Sequence, residues 1–154
     1  MANIESEASI VDSKISTAYL LRQVAERLAF SLTQSLKPFN QTTSAYRVLI
    51  ALNRQNPSST QDLIESTLIG PSTLSRTIDA LEKENCVECS PIKSDGRARK
   101  VTLTAIGEER LQAILPAARA QYEWAIRNID DEMLAVLHET LEKMLQNLKT
   151  SPIK

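Results

Sequence analysis

A Gly70-Pro71 step joins two short runs whose apolar residues recur at helical spacing, leaving room for no more than a tight turn between them. Before the step, Ser59-Thr60-Gln61-Asp62 has the form of a capping box, and Leu63, Ile64 and Leu68 follow as the apolar face of a short helix. After it, proline suits the first position of a helix, and the spacing predicts one from Ser72 to Glu84 with Leu74, Ile78 and Leu81 at i, i+4 and i+7. Asn85 comes next, a residue that tolerates the left-handed backbone needed just past a helix end. Then the period changes. Cys86–Cys89 and Arg99–Leu103 have strand-like composition and bracket Pro91 to Arg97, which carries a Ser94-Asp95-Gly96 turn signal. Two short helices at a tight turn, followed by a hairpin, make the winged helix-turn-helix plan.

Helical patterns flank this centre. Ile15, Leu21, Val24, Leu28, Leu32 and Leu36 form a stripe over Val11 to Leu36, which Pro38 ends. Thr42 or Thr43 can cap a second helix carrying Tyr46, Leu49, Ile50 and Leu52, finishing before Pro57. After the hairpin, Thr104 caps a long helix through Leu111, Leu115, Ala118, Tyr122 and Ile126, with a bend expected at Pro116. Asp130-Asp131 opens a last helix, placing anions at its positive end. Its Leu134, Leu137, Leu141, Met144 and Leu148 alternate three and four apart, a seam that wants a partner surface. The expected fold is mainly α with a small β-hairpin wing, in one domain of 154 residues.

Charge locates the expected chemistry. The net charge of −1 gives no general pull towards a polyanion. From Pro91 to Val101, however, Lys93, Arg97, Arg99 and Lys100 face only Asp95. Thr102 to the end holds six cations and eight anions. A basic patch on an acidic body suits contact with DNA at one place, although an ordinary charged loop gives the same count. On the Ser72–Glu84 helix, Ser72, Arg76, Asp79 and Lys83 lie opposite the apolar stripe, with Thr73, Ser75 and Thr77 on its flanks. Short hydroxyl side chains and an arginine at a helix start can enter a major groove, the arginine forking onto guanine. The competing reading is a solvated helix face. In the hairpin, the Asp95 carboxylate can hold the Arg97 stem while the guanidinium enters a narrow minor groove; the competing reading is a surface turn with a weak ion pair.

Taken in order, these segments resemble the MarR family of transcriptional regulators. The run from Leu36 to Leu49 looks like that family's entry into its DNA-binding lobe, and Ser72 to Lys83 is similar to its recognition helix. Asp95-Gly96-Arg97 followed by Val101-Thr102-Leu103-Thr104-Ala105-Ile106-Gly107 resembles its wing and the start of the next helix. The resemblance implies a homodimer with dimerisation helices over residues 10–37 and 104–150 and a winged lobe over 42–103. It implies a repressor that binds a pseudo-palindromic operator in double-stranded DNA. It also implies a small aromatic or phenolic effector in a cleft between the lobes. Carried over position by position, Ser72, Thr73, Ser75 and Arg76 are the major-groove contacts, Arg97 is the wing-tip contact, and Asp95 orients it. Where many relatives have arginine soon after the recognition helix, this chain has Cys89, which either lowers DNA affinity or shifts it towards Lys93 and Arg99. Tyr19, Arg22 and Tyr46, with Trp124, are effector-pocket candidates, because a carboxylated aromatic wants an arginine and stacking rings; core packing is the competing role for the rings.

Other chemistries find little support. Cys86 and Cys89 form a C-x-x-C on an expected strand, where a helix terminus is not at hand to activate a thiol, and the only further soft donor is His138, far along the chain. No phosphate-cradling glycine loop, nucleophile elbow or serine–histidine pairing is present, so neither catalysis, cofactor nor metal is expected. The N-terminal residues lack the basic start and apolar run of a secretory signal, and no apolar window spans a membrane, so a cytoplasmic protein is expected. From another functional class, a winged-helix module that only docks proteins, without binding DNA, competes with the regulator reading.

Overall fold

A computed structural model describes residues 2–92 and 95–151 of the chain, with side chains over 16–91 and 99–151. The elements run α1 (Ala2–Leu36), α2 (Thr43–Arg54), β1 (Ser58–Ser59), α3 (Thr60–Thr67), α4 (Pro71–Lys83), β2 (Val87–Ile92), β3 (Asp95–Leu103), α5 (Ala105–Ile126) and α6 (Asp131–Lys149). They fall into two compact units, residues 1–121 and 122–154.

In the first unit each boundary has a local cause. A 3-10 turn over Lys37–Phe39 follows α1 at Pro38, and Asn40 leaves it with φ 51°. Thr42 caps α2, its hydroxyl accepting the Ala45 N–H at 3.1 Å. Ser59 and Asp62 complete the capping box at the start of α3: the Ser59 hydroxyl accepts the Asp62 N–H at 3.1 Å while the Asp62 carboxylate accepts the Ser59 N–H at 3.0 Å. Pro71 takes the first position of α4, and Asn85 lies beyond that helix in the left-handed region at φ 55°.

Leu68 departs from the expected apolar face. Helix α3 stops at Thr67, Leu68 turns into the left-handed region at φ 54° and is 79% exposed, and Ile69 is buried instead. Once the backbone leaves the 3.6-residue period, the stripe no longer predicts which side chain points inward.

The hairpin is part of a three-stranded antiparallel sheet in the order β1-β3-β2. Ser58 pairs with Val101, and on the other side of β3 Cys89 pairs with Val101 and Pro91 with Arg99. Strand β1 was not foreseen, because two residues carry no alternation to read. Val48, Leu49 and Leu52 from α2, Leu63 from α3, Leu74, Ile78 and Leu81 from α4, and Val87 and Val101 from the sheet form one buried core. Helix α5 seals it with Leu111. Thr104 caps α5 by accepting the Gly107 N–H at 3.1 Å, and the helix continues through Pro116. Gly107 is held against the backbone, since a Cβ built there meets the Cys86 carbonyl oxygen at 2.1 Å.

In the second unit Asp130 caps α6, accepting the Met133 N–H at 2.8 Å. Helix α6 contains no buried residue, and Met133, Val136, Leu137, Leu145 and Leu148 are exposed.

Candidate nucleic-acid interface

The buried stripe of α4 fixes what its opposite face presents. With Leu74, Ile78 and Leu81 in the core, Ser72, Thr73, Ser75 and Arg76 are all exposed. Among the described residues none of these four side chains makes a hydrogen bond or an ion pair, so their donors and acceptors face solvent. Thr77, by contrast, turns its hydroxyl back to the Thr73 carbonyl at 2.8 Å.

The acids of α4 are spent differently. Asp79 and Glu82, three residues apart and on one helix face, both bind Arg99 of β3: Nη1 donates to Asp79 Oδ1 and Nη2 to Glu82 Oε2, each at 2.8 Å. The hydrogen bond to Asp79, ahead of the other influences, pushes the Arg99 guanidinium further up and keeps it charged. The second oxygen of Glu82, Oε1, accepts the Cys89 N–H of β2 at 3.1 Å. Part-exposed ion pairs of this kind contribute about 0–1 kcal/mol each, so the fork bears more on geometry than on stability.

Arg99 therefore differs from its expected place as a free cation for DNA; both arms of its guanidinium are occupied within the chain. Sequence spacing does hold a signal for this, an acidic i, i+3 pair on α4 and an arginine on β3, but the strand register that unites them is not visible in the letters. Lys93 lies outside the described residues, and Asp95 and Arg97 are described in backbone only, within β3.

Cys86 is fully buried in the core, and burial raises its thiol pKa. Cys89 is half-buried against Glu82 and Arg99, and burial first, then Glu82, pushes its thiol up to about 11. No cluster of three or more metal-type ligands occurs among the described residues. His138 sits on exposed α6, 3.8 Å from Glu142.

Of the effector candidates, Tyr46 lines a cavity of about 460 Å³ between α2 and α3, with Arg47, Ile50, Arg54 and Ser66. Burial raises the Tyr46 phenol while the charge of Arg54 opposes it. Tyr19 and Arg22 do not line this cavity: Tyr19 is 61% exposed on α1, and Arg22 pairs with Glu26 at 2.9 Å. Trp124 is exposed, with Arg127 stacked 3.9 Å from its ring centre. Of the four expected pocket residues only Tyr46 lines this cavity, and the cations on its wall are Arg47 and Arg54.

Comparison with known proteins agrees with this geometry. The profile of the MarR family matches residues 42–98, which hold α2 through the start of β3. The uncharacterized HTH-type transcriptional regulator YxaD of Bacillus subtilis is 31% identical over 77% of this chain and 83% of its own length. The HTH-type transcriptional repressor NicR of Pseudomonas putida is 29% identical over 84% of this chain and 82% of its own. BpsR of Bordetella bronchiseptica, whose DNA binding is regulated by 6-hydroxynicotinic acid, has the same fold with a TM-score of 0.75, at 24% identity, covering 84% of this chain and 98% of that one. These relatives are regulators rather than enzymes, and they favour DNA binding over a docking module. No helix among the described residues is long and apolar enough to cross a membrane.

Proposed function

Because the chain belongs to the MarR family of DNA-binding transcriptional regulators, we propose that it is a ligand-responsive repressor that reads a pseudo-palindromic operator as a homodimer. One observation carries this: four exposed, unengaged side chains, Ser72, Thr73, Ser75 and Arg76, crown the start of a helix whose other face is locked into the core. A helix N-terminus so equipped enters a major groove, with hydroxyls reaching phosphates or base edges and the guanidinium forking onto guanine. Two copies place two such helices in grooves about 10 base pairs apart, while Arg97, oriented by Asp95, and Lys93 serve the flanking backbone and minor groove. The exposed apolar residues of α6 support the pairing of copies.

The effector reading rests on the cavity beside Tyr46, where Arg47 and Arg54 offer charge and Ile50 an apolar wall. That chemistry suits a small aromatic carboxylate, in keeping with the acid that regulates BpsR. Selection of bound duplexes from a random oligonucleotide pool tests the whole reading. The protein should enrich an inverted repeat, and Arg76→Ala should weaken binding to it by about 1–3 kcal/mol and relax one base position. Failure to enrich any sequence, with flow-through on heparin at low salt, would reject it.

A further inference from the structure

Arg99 joins three elements that are separate in sequence. Its two terminal nitrogens each lie 2.8 Å from a carboxylate of α4, one on Asp79 and one on Glu82. Glu82 in turn accepts the Cys89 N–H at 3.1 Å, so one side chain of the reading helix grips β2 directly and β3 through Arg99. The short Cys89 side chain packs at this junction, where Arg99 and Glu82 both act on its thiol. Arg99 pairs with Pro91 in the sheet, two residues towards the hairpin turn from the Cys89–Val101 pair, so the guanidinium arrives over the thiol from the neighbouring strand.

We propose that Arg99 is a positioning residue for DNA recognition: its fork on Asp79 and Glu82 fixes the angle between wing and reading helix and neutralises two carboxylates beside the DNA-facing surface, without Arg99 touching DNA. The inference rests on α4 being the reading helix. A planar fork suits this role because it fixes direction as well as distance, which a lysine ammonium does not. Loss of the guanidinium frees the wing from α4 and leaves two uncompensated acids next to a polyanion, and both effects oppose binding.

The test is a double-mutant cycle on the duplex that the unmodified protein selects from a random pool, followed by fluorescence anisotropy. Arg99→Ala should weaken binding about tenfold, and adding Asp79→Asn with Glu82→Gln to that variant should restore the part of the loss that comes from the uncompensated acids. The same two neutral substitutions in the presence of Arg99 should bring no comparable gain. Arg99→Lys, which keeps the charge and loses the fork, should recover only part of the affinity. Full recovery with lysine, an additive cycle, or unchanged affinity on Arg99→Ala would each overturn the proposal, the first two by marking a direct phosphate contact. Thermal midpoints of every variant identify any loss that comes from unfolding. If the unmodified protein selects no duplex, the reading of α4 fails first. The fork is then judged by the same cycle in thermal midpoints, where additivity overturns it.

Discussion

Single side chains here hold positions that their neighbours leave no freedom to change. Gly107 is the sharpest instance, because a Cβ there meets the Cys86 carbonyl, a backbone atom that the sheet and the α5 cap hold in place. Gly107→Ala should therefore destabilise the fold by about 1–3 kcal/mol, the cost of overpacking a fixed site, read as a lower urea midpoint. Cys89 gives a second check. With its thiol raised from the usual 9.0 to about 11, roughly one molecule in a thousand carries the thiolate at pH 8. Iodoacetamide should modify native protein far more slowly than the unfolded chain at that pH. A rate equal to the unfolded one would show that the thiol is not packed under Arg99. The raised value also sets a sign: the unfolded thiol ionises first, so stability from this group is intact below pH 9 and declines as pH rises towards 11.

Helices were the most legible elements, because their starts carry capping chemistry and their faces carry a period. Ser59 and Asp62 announced α3, Pro71 announced α4, and Thr104 and Asp130 announced α5 and α6. The end of α3 was not legible, since nothing in Thr67-Leu68-Ile69 marks Leu68 as the residue that turns left-handed. Strand β1 and the Arg99 fork were hidden for a related reason: both are set by register between distant segments, and register leaves no local mark. The solvent face of α4 was legible because burial of Leu74, Ile78 and Leu81 dictates it, whereas the cavity beside Tyr46 depends on which faces of α2 and α3 meet. The α3 cap makes a prediction of its own. Hydrogen bonds from the Ser59 hydroxyl and N–H hold the Asp62 carboxyl below its usual value, so its contribution is present above the ordinary carboxylate range and lost as pH falls through the lowered one. Asp62→Asn should lower the thermal midpoint at pH 7, and the difference from the unmodified protein should shrink as the solution is acidified. A gap that persists undiminished in strong acid would show that the carboxylate charge plays no part in the cap.

For the molecule as an assembly, the exposed apolar face of α6 is the place to test the proposed pairing of copies. Substituting Leu137→Glu with Leu148→Glu places charge on a face that is open in the isolated chain and should convert the protein to monomers in sedimentation velocity, while the winged lobe keeps its helical circular dichroism. DNA affinity should drop with it, because two half-sites held together bind far more tightly than one. A monomeric unmodified protein would remove the basis for a palindromic operator. A helix with no buried residue of its own has one more consequence. If the proposed pairing of copies covers this helix, its stability comes partly from outside the chain, and folding of this segment obeys mass action rather than a fixed constant. Dilution should then lower the melting temperature, and a cell that makes few copies would hold a larger share of them with loosened tails, coupling the dose of the regulator to its own integrity.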